Sequence, residues 1–320
     1  MKAVLFVTNH VAPNRVGAFA ALERRLPLDV VTFGGPSLHG APRTAYGRQI
    51  TEGDVAGEVR SEEHSAVVIG TAGRRSLPAA WRAARSVQLP FVHWAAFWAW
   101  PATPAHLLAR PLLKRIYRDA AAVVTYGPHV SAFVRANGAT RVFEAPQSVD
   151  NAFWAQPAGA RSNDFTALFV GRDVPEKGLQ ILRDATPEGV ALEVLSGGAN
   201  PDEVRNFYAR AHVLVMPSLR TRSFREPWGL VANEAMNQGT AIIASDEVGA
   251  VAGGLVVHER NGLVVPAGDA TALRTALERL RDDPALTERL GAQGREDVRE
   301  FTHEAWAEGF EAALREAVGC

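Results

Sequence analysis

The sequence predicts an α/β protein of two lobes, each a parallel β-sheet covered by helices, facing a cleft. Three observations predict it. Short apolar runs alternate with helical periodicity along most of the chain, as expected of parallel strands buried on both faces. The alternation restarts after a polar break made by Pro157, Gly159, Ser162, Asn163 and Asp164. The chain has 320 residues, a length suited to two domains.

The elements follow in order. Residues 4–8 form a first strand, and 17–26 a helix with Phe19, Leu22 and Leu26 on one face. A second strand over 30–33 ends at Gly34, Gly35 and Pro36. Residues 37–63 are polar and weakly periodic, and read as loops with short elements. Strands over 66–70, 91–93, 121–126 and 142–145 then alternate with helices over 77–86 and 130–136. The second half repeats the rhythm, with strands over 167–170, 191–195, 213–216 and 241–244 and helices over 179–185, 204–209 and 230–238. Short elements are expected over 254–258 and 263–265. Three helices close the chain, over 270–281, 284–300 and 303–318, each with an apolar stripe. The expected organisation is a first Rossmann-like lobe over 1–155, a second over 156–302, and a last helix over 303–320 that packs back on the first.

Composition excludes several classes. With 47% hydrophobic and 22% charged residues the chain is globular, neither disordered nor fibrous. A lone cysteine, Cys320, excludes an intrachain disulfide framework and a cysteine-rich zinc site. The first apolar run is too short for a secretory leader. Residues 91–109 contain Pro101, Pro104 and two histidines, which argues against a membrane-spanning helix. A cytoplasmic location is expected. Residues 1–150 hold 17 lysines and arginines against 10 acidic residues, whereas 151–320 hold 17 against 25. The two halves should therefore meet different partners. The modest basic excess comes with no nucleic-acid-binding motif, and nucleic acid is not expected as a partner. No dinucleotide fingerprint, P-loop or nucleophile elbow follows a strand.

In parallel sheets, ligands bind beyond the carboxyl ends of the strands. Two such segments carry chemistry. In the first, Gly171 ends a strand, Arg172 follows, and Lys177 opens the next helix. An arginine fork and a lysine point charge there suit a diphosphate, although in isolation pairing with Asp173 and Glu176 on the surface explains them better. In the second, Glu226 precedes Pro227, Trp228 and Gly229, and Glu234 lies about a turn into the following helix. Two carboxylates flanking a helix start suit a polyol joined to a phosphate. Each alone reads as an ordinary helix charge.

These residues carry a resemblance. The stretch 165–311 resembles the donor half of the retaining glycosyltransferases of family 4, which have the GT-B fold. The matching pieces are Gly171-Arg172 with Lys177-Gly178, then Pro217-Ser218, then Glu226 and Glu234 around Trp228-Gly229, and Asn261 to Pro266. The first half resembles the family more loosely, through a strand ending in His93, a linker over 145–153, and an Asn14–Gly17 loop in place of a glycine loop. The loop between Ser218 and Glu226 is longer than the family's, and Asp246 to Gly254 replaces a common Pro-Glu pair.

The resemblance implies transfer of a hexosyl group from a nucleotide-diphosphate sugar to an unidentified acceptor, by front-face displacement with retained configuration. Arg172 and Lys177 would neutralise the departing diphosphate, Glu226 orient the sugar, and Glu234 hold the ribose. Gly17, Gly198, Ser218, Gly229, Leu230 and Val231 would complete the donor site. His93 would face the sugar and acceptor, unless it is a satisfied core histidine. Neither metal nor cofactor is implied; the nucleotide sugar is substrate. Trp94 and Trp98 are weaker acceptor-side candidates. The aromatic and basic stretch 94–118 suits an anionic membrane surface or lipid-linked acceptor, but a core helix with a solvated basic face is favoured. Two rivals remain: a non-catalytic nucleotide-sugar binder, and a GT-B epimerase that cleaves the same donor.

Overall fold

A computed structural model describes residues 2–34, 46–61, 63–70 and 75–319. The expected break at Gly35-Pro36, residues 37–45 of the polar 37–63 stretch, and Cys320 lie outside the described residues. The chain divides into two compact units. The first comprises the chain up to Gln147 together with Thr302 onward, and the second is Ser148–Phe301.

The first unit is a seven-stranded parallel sheet of β1 (Val4–Thr8), β2 (Leu28–Thr32), β3 (Arg48–Gln49), β4 (Ala66–Gly70), β5 (Phe91–Ala95), β6 (Ala122–Thr125) and β7 (Val142–Glu144). Its spatial order is β3-β2-β1-β4-β5-β6-β7, so the winding reverses between β1 and β4. The inner strands β1, β4 and β5 are buried along their whole length, because helices cover both faces. That explains why they read as unbroken apolar runs. One face packs on the helices Val55–Arg60 and Ser76–Ser86 through Val55, Val59, Leu77 and Trp81. The other packs on the helices Val16–Glu23 and His303–Val318, which contribute Phe19, Leu22, Trp306, Phe310 and Leu314. Close approach is required at Gly309, where a Cβ would lie 2.1 Å from the Glu144 carbonyl oxygen.

The second unit is a five-stranded parallel sheet of β8 (Thr166–Val170), β9 (Ala191–Leu195), β10 (Val213–Met216), β11 (Ala241–Ser245) and β12 (Gly262–Val265), in the order β12-β11-β10-β8-β9. Its winding reverses between β8 and β10. Loops after those two strands diverge and leave a crevice at their carboxyl ends.

Most expected elements form, with ends shifted by up to three residues; the helix expected over 17–26 is Val16–Glu23. The helix expected over 204–209 starts at Pro201, because Asn200 and Glu203 make a reciprocal cap. No strand or helix forms over 254–258; a four-residue helix, Gly249–Ala252, forms before it. Short apolar segments of this kind carry too few positions for periodicity to separate the alternatives.

Candidate functional site

The crevice of the second unit gathers side chains from three strand ends. After β8 the chain runs through Gly171 and Arg172 into a single turn of 3₁₀ helix, Pro175–Lys177. Gly178 then turns the chain at φ 69° into the Leu179–Ala185 helix. Only glycine fits there, because a Cβ would sit 2.0 Å from the Pro217 carbonyl oxygen. This contact and the Leu219 N–H bond to the Glu176 carbonyl (2.8 Å) seat the post-β8 turn against the post-β10 loop.

The seating brings Lys177 onto Glu226. The Lys177 ammonium donates to the Glu226 carboxylate as an ion pair. The same carboxylate oxygen accepts from the Ser218 hydroxyl at 3.3 Å. The Ser245 hydroxyl, at the end of β11, donates to the Ser218 carbonyl at 2.5 Å. Ser218, Glu226 and Ser245 are all buried. Backbone pairing also ties Glu226 to Val248. The carboxylate is thus fixed from β8, β10 and β11 together. Phe224 lies under the ammonium, 5.8 Å from Nζ to ring centre.

Arg172 stands at the same rim. Its nearest acidic contact is Glu176 at 3.9 Å, and its buried Nε has no hydrogen-bond partner. A fork held this loosely is available to an anion.

Past Glu226 the chain is braced by Trp228, whose indole donates to Asn233 at 2.8 Å. The left-handed Gly229 (φ 96°) and the Leu230 cap then start the Val231–Asn237 helix. Glu234 accepts from the Tyr208 hydroxyl at 2.8 Å. Burial pushes the Glu234 carboxyl up to about 7, while the Tyr208 hydrogen bond pulls the other way. Tyr208 itself is driven well above its ordinary range by burial and by the neighbouring carboxylate. Gly198 lies in the connection after β9 at φ 82°, and a Cβ there would meet nothing within 4 Å. The second unit therefore unites Lys177, Ser218 and Glu226, places Arg172 at their rim, and gives Glu234 a partner that sequence reading missed.

In the first unit His93 sits in the middle of β5 and is 1% exposed. Its Nδ1 lies 3.1 Å from the Ile69 carbonyl oxygen. A carbonyl only accepts, so Nδ1 carries the proton and Nε2 the lone pair. Burial lowers its pKa to about 4, keeping the ring neutral. Trp94 points to the opposite face and packs on Phe6, Trp306 and Phe310. Trp98 is partly buried with its ring 5.1 Å from that of His129. Gly17 meets another side chain: a Cβ there would lie 2.3 Å from the His303 ring.

The stretch 94–118 includes a helix, Pro104–Asp119, started by the Thr103 cap. Ile116 and Tyr117 are buried, while Leu107 and Leu108 are 48% and 84% exposed. Among the described residues no helix is long and apolar enough to cross a membrane. No group of three or more histidine, cysteine or acidic side chains among them is arranged to hold a metal.

Two parallel sheets, each with helices on both faces and its own reversal point, put the chain in the GT-B fold class. Nearly the whole length superposes on the HepE protein of Anabaena, solved in complex with UDP and with UDP and glucose. The match covers 98% of this chain and 99% of that one, at 16% identity and a TM-score of 0.77. Residues 189–297 match the sequence family described as glycosyl transferases group 1. Over 89 residues the chain is 40% identical to a lipopolysaccharide core biosynthesis glycosyltransferase, LpsD, of Rhizobium meliloti, covering 28% of this chain and 25% of that protein. It is 34% identical over 176 residues to a D-inositol 3-phosphate glycosyltransferase of Xylanimonas cellulosilytica, covering 46% and 40%. The chain thus spans less than half the length of these curated relatives.

Proposed function

We propose that the chain is a retaining glycosyltransferase that moves a hexosyl group from a nucleoside-diphosphate sugar to an acceptor nucleophile, without a metal. The observation that carries this reading is the Lys177–Glu226 pair, fixed by Ser218 at the reversal point of the second sheet. Glu226 and Glu234 also fall within the stretch matched to the glycosyltransferase family.

The chemistry follows from the side chains. Lys177 and Arg172 meet the diphosphate, whose charge grows as the glycosyl bond breaks, so their attraction is largest in the transition state. Glu226 can only accept, and it orients donor hydroxyls while holding the ammonium in place. Glu234, as the carboxylate, accepts from the two ribose hydroxyls. The backbone of Gly229, Leu230 and Val231, with Gly198, lies against the donor. Neutral His93 offers the Nε2 lone pair to a hydroxyl of the sugar or acceptor. Support for a nucleotide donor also comes from HepE, solved with UDP and glucose.

A donor panel tests the reading. UDP-, GDP-, dTDP- and ADP-sugars are mixed with the protein without metal, and thermal shift and release of nucleoside diphosphate are followed. One donor should stabilise the protein and be turned over, and Glu226→Ala should abolish both. Near-normal turnover in Glu226→Ala would refute the site.

A further inference from the structure

We propose that Arg15 binds an oxyanion, a phosphate or carboxylate carried by the acceptor. The word acceptor rests on the glycosyl-transfer reading above; the anion site does not.

Arg15 follows β1 in a short 3₁₀ turn, Pro13–Arg15, beyond the carboxyl end of the sheet and at its reversal point. The guanidinium lies over the Trp94 ring at 5.0 Å and the Tyr126 ring at 5.9 Å. One nitrogen, Nη2, donates to the Gln147 side-chain oxygen. The other, Nη1, is buried and has no hydrogen-bond partner. Among the described residues no carboxylate comes within ion-pair distance of this arginine. Arg25 differs: it meets Glu308 and Glu311 at 2.7 Å.

A desolvated cation without a counter-charge is costly, and a buried donor without an acceptor adds to the cost. Burial accordingly depresses the Arg15 pKa, and only the Tyr126 phenol opposes it. That phenol is itself pushed upward by burial, so it stays neutral and supplies no charge. The missing component is an anion with at least two oxygens, which a guanidinium grips as a fork. The two ring faces and Gln147 hold the guanidinium plane in position, so little order has to be gained when the anion arrives. A purely structural role, stacking between two rings, makes the opposite prediction about removal. A brace is lost at a cost in stability, whereas an uncompensated buried charge is lost without one.

The test uses the intact chain and its Arg15→Gln and Arg15→Lys variants. Lys177→Ala with Arg172→Ala serves as background, so that the diphosphate cations do not report. Probes are inorganic phosphate, a hexose, its 6-phosphate and its uronate, at constant ionic strength with chloride; the readout is thermal stabilisation. Phosphate and the hexose phosphate, or the uronate, should stabilise the Arg15 protein, and the plain hexose should not. Arg15→Gln should weaken the stabilising anion about 10- to 100-fold, and Arg15→Lys should recover part. Without ligand, Arg15→Gln should melt no lower than its parent. The proposal is overturned if no anion stabilises the Arg15 protein, if Arg15→Gln retains the effect, or if it melts lower without ligand. UDP is tested separately on the chain with Lys177 and Arg172 intact. Failure there removes the glycosyl-transfer reading and leaves the anion result to be judged alone.

Discussion

Replacing Glu234 by glutamine should stabilise the ligand-free protein above neutral pH while removing its grip on a donor. Burial raises the carboxyl from an ordinary 4.5 to about 7. The folded state therefore holds a proton that the unfolded chain has already released. Its stabilising effect is complete below about pH 4.5 and is lost as pH rises through about 7. At about 1.4 kcal/mol per unit, the full shift corresponds to roughly 3 kcal/mol; allowing for the partial exposure of the side chain leaves about 1–3 kcal/mol. Glutamine keeps an oxygen for the Tyr208 hydroxyl, which donates at 2.8 Å, and carries no charge. At pH 8 the variant should thus be about 1–3 kcal/mol more stable, a rise in melting temperature of roughly 2–8 °C for a unit of this size. Near pH 4.5 the advantage should vanish. Thermal and urea unfolding across pH 4.5–8.5 measure both. A variant no more stable than the parent at pH 8, or one whose advantage grows on acidification, would refute the reasoning. In the parent, donor affinity should rise as pH passes 7, because only the carboxylate accepts from both ribose hydroxyls; the variant should show neither the affinity nor the rise.

Three further outcomes are expected. Lys177→Ala should reduce turnover by two to three orders of magnitude and, by leaving the Glu226 carboxylate buried without its ammonium, cost about 1–3 kcal/mol in urea unfolding; Lys177→Arg should recover stability better than turnover. The His93 ring nitrogens should report a neutral imidazole protonated at Nδ1 throughout pH 5.5–7.5 by NMR, since its pKa of about 4 lies below that window, and titration near 6.5 would contradict the burial argument. Gly178→Ala should destabilise the second unit by at least about 1–3 kcal/mol, because φ is 69° and a Cβ would meet the Pro217 oxygen at 2.0 Å; an unchanged urea midpoint would show that the turn is not constrained as described.

Some of this was legible in the sequence, for reasons that differ by residue. The strands were visible because their cores are apolar on both faces and their ends are marked by glycine or polar residues. Strand ends in turn pointed to Arg172, Lys177, Ser218 and Glu226, since parallel sheets place ligands there. The pairing of Lys177 with Glu226 was not legible. It depends on the seating of Gly178 against Pro217, a contact between loops that no local pattern encodes. Tyr208 was missed because a helix periodicity reports which face is buried and not where a hydroxyl ends; its partner lies 26 residues away. Within β5 the apolar run Phe91–Ala95 is buried throughout, so alternation could not assign His93 and Trp94 to faces.

Arg15 shows a different kind of limit. As an arginine in a loop after a strand it looks like any surface cation, and the chain has 34 lysines and arginines. What distinguishes it is subtraction. The sheet brings Trp94 and Tyr126 from β5 and the end of β6 beneath the guanidinium, and Gln147 from 132 residues away occupies one nitrogen. No acidic residue among those described answers the remaining charge. A missing partner has no sequence signature, because it is defined only after every other contact has been placed. The same reasoning applies to the buried Nε of Arg172, unpartnered in the turn that follows β8. Each unit thus presents, at the reversal point of its own sheet, an arginine whose hydrogen-bonding capacity the chain leaves partly unused. What sets these two apart from other arginines with an unpartnered nitrogen, Arg110 and Arg205, is their place: both follow a strand at the point where a parallel sheet binds its ligand, so an arriving anion can supply the acceptor that the chain does not.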